Sequence, residues 1–422
     1  MLFEKNMRLL AIIILIMTTL QAFGQDNIEK ALKLWEKGDF LQVNSITEKI
    51  LQNDPDNEEA RYLHMKLSFI QGKYDQSLEW FALLNESYTN YREAVDLAFE
   101  TYLHLRDYKQ ACLVADKNNN SSSRYSLFQE LKNRPFTVVA DKTFIVPFLN
   151  DDQIPSLYWP GVNGTLNGIP VPIRFDTGAD FLIIGKSIAE KYGVPLKYED
   201  KGMHGTTKVT MWRAIADSLT FENGPAFLNV PVTIMESLGD YVIFGTSILE
   251  QFLTTVDYPN DRFIFTPGNK PELLAGHYLM LSSVQKTIPF FLWGDHYMIA
   301  KGSFAGRDSL NLFFDSGLIA MTEINGSLAQ APFTASRESL LEWGFDGSAM
   351  NQNAFYPTEY SIEIAGLSQP NTLVYYDNNL KKDRFFGGIR IDGLISHAWL
   401  KNYSWTIDFN KMEYSFDFLM SH

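Results

Sequence analysis

The rhythm of apolar and polar positions changes twice along this chain. Leu9 to Leu20 is a largely apolar run, and after it apolar residues recur at helical spacing to about Lys117. From Phe136 onward, short runs rich in β-branched and aromatic residues alternate with Gly, Pro and Asn turns. The pattern predicts a helical region followed by a mainly-β region with few helices. Between them, Asn118-Asn119-Asn120-Ser121-Ser122-Ser123 is polar and of low complexity, which predicts a linker or exposed loop, and a short helix is expected over Tyr125 to Lys132, ahead of Pro135.

The helical region repeats. Gly38-Asp39-Phe40, Gly72-Lys73-Tyr74 and Arg106-Asp107-Tyr108 stand 34 residues apart both times, and five residues past each start comes a smaller residue, Val43, Ser77 and Ala111. Pro55 follows the second helix of the first unit, where a helix must end. Such a period of paired helices resembles tetratricopeptide repeats, with Arg106 standing where Gly is usual. The resemblance implies a site for a protein or peptide partner, or a docking or spacer domain. His64, His104 and Cys112 fall here with no metal-ligand spacing connecting them, so they read as helix core or surface residues.

The β region is duplicated. Lys142-Thr143-Phe144-Ile145-Val146-Pro147-Phe148 is echoed by Lys286-Thr287-Ile288-Pro289-Phe290, and Tyr158 to Gly168 by His296 to Arg307. Asp176-Thr177-Gly178 and Asp315-Ser316-Gly317 follow, 139 residues apart, each set between apolar runs that read as buried strands. The halves also close alike, through Val242-Ile243-Phe244-Gly245 and Gly393-Leu394-Ile395-Ser396, with Pro267 to Gly276 between them. A carboxylate between buried strands is costly unless it is used. Two similar lobes in one chain are the covalent counterpart of a twofold dimer.

Composition narrows the chemistry. Apolar residues make up 45% and aromatics 14% of the 422 residues, enough for a large aromatic-rich core. The net charge of −14 argues against nucleic acid or anionic membrane surfaces as partners. A lone cysteine, Cys112, excludes an internal disulfide framework and any multi-cysteine metal site. Lys5 and Arg8 before the first apolar run, and Ala22-Phe23-Gly24 after it, read as a secretory leader over residues 1–24. The run is short for a bilayer span. The expectation is export to a bacterial periplasm or beyond, with no stable membrane span once the leader is removed.

Asp-Thr-Gly-Ala after a strand, followed downstream by two apolar residues and a Gly before a short helix, resembles the retropepsin-like aspartic protease unit. Two such units in tandem resemble the bilobal pepsin arrangement, over roughly residues 136 to 418. The expected organisation is multidomain: a leader over 1–24, α-helical tetratricopeptide-like repeats over 25–117, a linker and short helix over 118–135, and a mainly-β bilobal acid-protease fold with lobes over 136–268 and 269–422. The resemblance implies an aspartic endopeptidase acting on peptide or protein substrates, in which Asp176 and Asp315 share a catalytic water. Two carboxyls within hydrogen-bonding distance cannot both ionise easily, so one takes a proton while the other gives one. Gly178 and Gly317 would permit close approach of the two loops, and Thr177 and Ser316 would fix them across the lobe interface.

Neither cofactor nor metal is expected, and the ten-residue connection between lobes favours pairing within a single monomeric chain. Met203, His204, Gly205 and Thr206 form a candidate flap tip within Lys201 to Val209. Trp343-Gly344-Phe345-Asp346-Gly347 stands at a comparable place in the second lobe, to line a subsite or merely to pack. Ala179 and Leu318 stand where many acid-acting relatives carry a hydroxyl, which predicts raised carboxyl pKa values and an optimum at mildly acidic to near-neutral pH. Ser396 replaces the expected Gly and Leu318 is bulky, so the second lobe is the candidate for degeneracy. The alternatives are a non-catalytic peptide-binding protein and a repeat-based interaction scaffold on the same fold.

Overall fold

The computed structural model describes residues 26–118, 122–149, 159–204, 207–281, 285–324, 327–350, 354–377, 380 and 384–417. The leader expected over 1–24 lies outside them.

Seven helices come first: α1 over 26–36, α2 over Phe40–Asn53, α3 over Glu58–Ile70, α4 over Tyr74–Ala82, α5 over Tyr91–His104, α6 over Tyr108–Asp116 and α7 over Ser123–Leu131. The 34-residue signature marks alternate turns, where Gly38, Gly72 and Arg106 have φ of 67°, 70° and 56°. Arg106 therefore keeps the left-handed turn at a steric cost that Gly avoids. Asp39 and Asp107 then cap α2 and α6, accepting from the N–H groups of Gln42 and Gln110. Helix α7 starts two residues before the expected Tyr125 because Ser122 caps it, accepting from Tyr125 N–H at 3.1 Å.

In the first lobe, strand Ile169–Phe175 runs parallel to Val242–Phe244, which is antiparallel to Leu182–Gly185, itself parallel to part of Ala226–Met235. Pairing of Ala226–Met235 with Thr207–Phe221 closes this sheet on itself. The second lobe repeats the arrangement: Arg307–Phe314 is parallel to Gly393–Ile395, which is antiparallel to Phe333–Ser336, itself parallel to Leu373–Asp377. One expectation is corrected here. The apolar residues directly after the second triplet do not form the buried strand that Leu182–Gly185 forms in the first lobe. Met321–Ile324 instead pairs with Ser327–Gln330 as a separate hairpin, and the equivalent strand begins only at Phe333.

The lobes share one antiparallel sheet of six strands, in the order Phe144–Pro147, Arg262–Pro267, Phe252–Asp257, Ser404–Asp408, Glu413–Asp417 and Gln285–Trp293. Its outer strands carry the two mirrored leaders read from the sequence. At its centre Thr255 pairs with Thr406, their hydroxyls 2.6 Å apart. Both lobes thus contribute strands to one sheet.

The helices dock on the lobes along an aromatic seam. Phe40 meets Phe291 with ring centroids 4.5 Å apart, Phe69 meets Trp293 at 5.7 Å, and Trp35 Nε1 donates to the Gly387 carbonyl at 2.9 Å. The His104 side chain is nearly enclosed at this seam: Nδ1 lies 2.7 Å from a Glu250 carboxylate oxygen, Nε2 lies 2.9 Å from the Gly294 carbonyl, and Tyr74 stacks on the ring. Buried aromatics of this kind supply large apolar area and specific geometry.

Candidate active site

Each triplet follows a buried strand and turns back at once. Asp176 N–H donates to the Phe244 carbonyl at 3.1 Å, and Asp315 N–H donates to that of Ile395 at 2.9 Å. The next turns match as well: Ala179 N–H donates to Asp176 O at 3.3 Å and Leu318 N–H to Asp315 O at 3.2 Å. The twofold relation read from the sequence therefore reaches the individual hydrogen bonds of the two loops.

Buried hydroxyls lock the loops together. Thr177 Oγ1 donates to the Phe314 carbonyl at 2.8 Å and accepts from Ser316 N–H at 3.0 Å. In return Ser316 Oγ accepts from Thr177 N–H at 2.9 Å. The twofold breaks at the Phe175 carbonyl, counterpart of Phe314, which accepts from the Trp159 indole at 2.5 Å.

The glycines leave no room for a side chain. A Cβ on Gly317 would sit 2.2 Å from Asp176 Oδ2, and one on Gly178 would sit 2.8 Å from Asp315 Oδ1. Each carboxyl thus lies against the glycine of the opposite lobe, which brings Asp176 and Asp315 face to face.

The backbone distinguishes the two carboxyls. Asp176 Oδ1 accepts from Gly178 N–H at 2.7 Å and from Gly317 N–H at 3.0 Å, whereas Asp315 Oδ1 shares only the latter donor, at 3.1 Å. Burial raises both carboxyls above the usual range. For Asp315 the neighbouring Asp176 charge adds to this and pushes it up to about 8. For Asp176 the N–H donors and the hydrogen bond from Asp315 oppose the rise. The N–H donors thus favour charge on Asp176, and that charge favours the proton on Asp315, so the two titrate as one pair with the shared proton biased toward Asp315.

The second lobe accommodates its departures. Ser396 is buried, donates to the Ala331 carbonyl at 2.5 Å and caps the helix His397–Leu400 by accepting from Ala398 N–H at 3.1 Å. Its first-lobe counterpart must be Gly, because a Cβ on Gly245 would lie 2.1 Å from the Asp180 carbonyl oxygen. Leu318 packs partly buried against the core, and its carbonyl accepts from His397 N–H at 3.3 Å.

Of the candidate flap, Met203 is half exposed and His204 Nδ1 lies 3.0 Å from Ser237 Oγ, while Gly205 and Thr206 lie outside the described residues. The two sit at the end of a hairpin formed by Tyr198–His204 and Thr207–Phe221. Trp343 and Phe345, the aromatics singled out in the second lobe, are partly buried and stack on Phe333 and Phe304.

Sequence reading missed a charged network beside the pair. Arg124 of α7 bridges Glu100 of α5 at 2.6 Å and Asp295 at 3.1 Å, and Asp295 meets His296 Nδ1 at 2.5 Å. Burial alone would lower the His296 pKa, but Asp295 raises it, and the resulting charge lowers both Asp176 and Asp315. Asp180, four residues past Asp176, lies 3.7 Å from Arg213, with burial raising its carboxyl. The available signal was charged residues directly abutting apolar runs, as in Phe175 to Ile184 and Phe290 to Tyr297.

Residues 162–251 match the family model described as gag-polyprotein putative aspartyl protease. The resemblance of the first lobe to aspartyl proteases thus has support beyond its Asp-Thr-Gly triplet. Solved structures similar to this chain include an aspartic proteinase from Irpex lacteus, at 9% identity, covering 66% of this chain and 98% of that one, with a TM-score of 0.43. A retropepsin-like aspartic protease from Rickettsia conorii is similar at 22% identity over 31% of this chain and 90% of its own, with a TM-score of 0.22. No curated protein matches the chain.

Proposed function

We propose that the protein is an exported aspartic-type endopeptidase, periplasmic or secreted, that hydrolyses peptide bonds with a water held between Asp176 and Asp315. The observation that carries this reading is the face-to-face placement of two buried carboxyls with unequal backbone donors. Asp176, the charged member, takes a proton from the water as it attacks the scissile carbonyl. Asp315, the protonated member, donates to the carbonyl oxygen as charge develops there. Proton return through the same pair lets the amine leave and restores the starting state. Gly178 and Gly317 N–H groups and the Thr177–Ser316 lock hold the carboxyls in place without reorganisation.

The fit of Ser396 and Leu318 favours catalysis over peptide binding alone. The extensive seam between helices and lobes favours a helical region that belongs to the enzyme over a free-standing scaffold. No helix among the described residues is long and apolar enough to cross a membrane.

The test is cleavage of an unbiased peptide library across pH, with pepstatin as a probe. The expected profile is a bell. It rises as Asp176 ionises, above the ordinary carboxylate value, and falls as Asp315 loses its proton near pH 8. A maximum below about pH 3 would contradict the assigned protonation, and absence of pepstatin-sensitive cleavage at every pH would contradict the function.

A further inference from the structure

The helical region does more than rest on the lobes. Between it and the charged network lies a cavity of about 670 Å³, with Tyr62 and Lys66 of α3 on one wall and Asp180, Trp293, His296 and Tyr297 on the other. A volume of this size suits a bound segment of a few residues. Asp176 and Asp315 do not line it, but His296 does, and the His296 charge acts on both, so the cavity lies beside the candidate site on the side of the helices.

Most charges lining this space are already answered. Arg124 meets Glu100 and Asp295, His296 meets Asp295, and Arg213 meets Asp180. Lys66 is different. No carboxylate pairs with its ammonium among the described residues, and no hydrogen bond is made by it there. It stands over aromatic rings instead, 4.1 Å from the Trp35 centroid and 5.6 Å from that of Trp293. Cation–π contact compensates only part of the lost hydration of a Lys ammonium. Burial accordingly lowers its pKa to about 8. A half-enclosed cation facing a cavity, with no anion of its own, is an incomplete pair.

We propose that this cavity is a substrate-recognition site in which Lys66 receives a single carboxylate of the peptide, from either its C-terminus or an Asp or Glu side chain. The inference rests on the peptidase reading above. Glu93 and Asp96 line the same cavity, and their charges act on Tyr62, whereas the carboxylate felt at Lys66 is that of Glu59. These acidic walls make the space a poor host for polyanions, so one carboxylate is the fitting ligand. The helical region would then set specificity by completing the cleft, with α3 supplying the selective group.

The experiment uses the full chain and one peptide sequence in three forms: free C-terminal acid, C-terminal amide, and amide with one Asp scanned along the residues flanking the cleaved bond. For the wild type, kcat/KM is expected to be at least tenfold higher for one carboxylate-bearing form than for the neutral amide. A preference confined to the free acid identifies the C-terminus as the source, and one confined to a scanned position identifies a side chain. In Lys66→Met the ratio should collapse to near one, and in Lys66→Arg it should return. Equal rates for all three forms in the wild type, or a preference that persists in Lys66→Met, would overturn the proposal. Lys66→Gln serves in place of Lys66→Met if the latter does not fold. Should the wild type cleave none of the peptides, calorimetric binding decides separately: a Lys66-dependent preference for the carboxylate form upholds the recognition site while the peptidase reading fails, and its absence overturns both.

Discussion

Replacing Thr177 with Val removes one hydroxyl and keeps the shape of the side chain. In the folded protein that hydroxyl donates to the Phe314 carbonyl and accepts from Ser316 N–H, at 2.8 and 3.0 Å, in a position with no solvent exposure. Both backbone groups belong to the opposite lobe and lose their partner. A buried polar group left unsatisfied costs about 1–3 kcal/mol, so Thr177→Val should destabilise the paired lobes by about 2–6 kcal/mol, summing two such groups. Ser316→Ala strips a partner from only one group, Thr177 N–H, and should cost about half as much. For domains of this size, at about 2–4 °C per kcal/mol, the Thr177 change corresponds to a fall in Tm of roughly 4–24 °C. Urea denaturation followed through the buried Trp399 and Trp405 reads the effect in the lobes rather than the helices. Thr177→Ser, which retains the hydroxyl, should recover most of the loss. The account of the lock is refuted if Thr177→Val stays within about 0.5 kcal/mol of the wild type, or if Ser316→Ala costs more.

Two further outcomes follow from the same geometry. Gly317→Ala places a Cβ 2.2 Å from Asp176 Oδ2, closer than Gly178→Ala comes to Asp315 Oδ1 at 2.8 Å, so kcat should fall at least a hundredfold in the former and less in the latter; steady-state kinetics with both variants checks the order. Burial lowers the His104 pKa, but Glu250 outweighs it and leaves His104 above its ordinary value. The pair therefore strengthens docking fully below the unfolded value of about 6.5 and loses its contribution as pH rises through the folded one. Limited proteolysis of the helices should accordingly be slower at pH 6 than at pH 8, and Glu250→Gln should remove that difference.

How far the sequence carried the structure depended on the range of each signal. The triplets, the mirrored leaders and the closing apolar elements are local patterns present twice, so duplication alone located the two loops, whereas the joining of the leaders and the last strands of each lobe into one sheet depends on long-range pairing with no local signal. The hairpin from Met321 to Gln330 was hidden because Leu318 to Met321 continues an apolar pattern that a buried strand also satisfies. Phe40 and His104 stood out only as residues of a helical repeat, and helical periodicity cannot separate a helix core from a face docked on another domain. The turns carried one legible clue: Gly38 faces Lys301 and Asn311, and Gly72 faces Met412, so the repeated glycines lie where the lobes approach. The pairing of Arg124 with Glu100 and Asp295 joins residues 171 positions apart at its widest and has no local signature.

The central claim is that Asp176 and Asp315 act as one unit. The most direct measurement is kcat on a single cleavable peptide for Asp176→Asn, Asp315→Asn and the double variant, each confirmed as folded by its urea midpoint. The account predicts that either single change removes at least three orders of magnitude of activity and that the double variant is no worse than the singles. Cleavage that survives either substitution at near wild-type rate, or losses that multiply in the double variant, would contradict it.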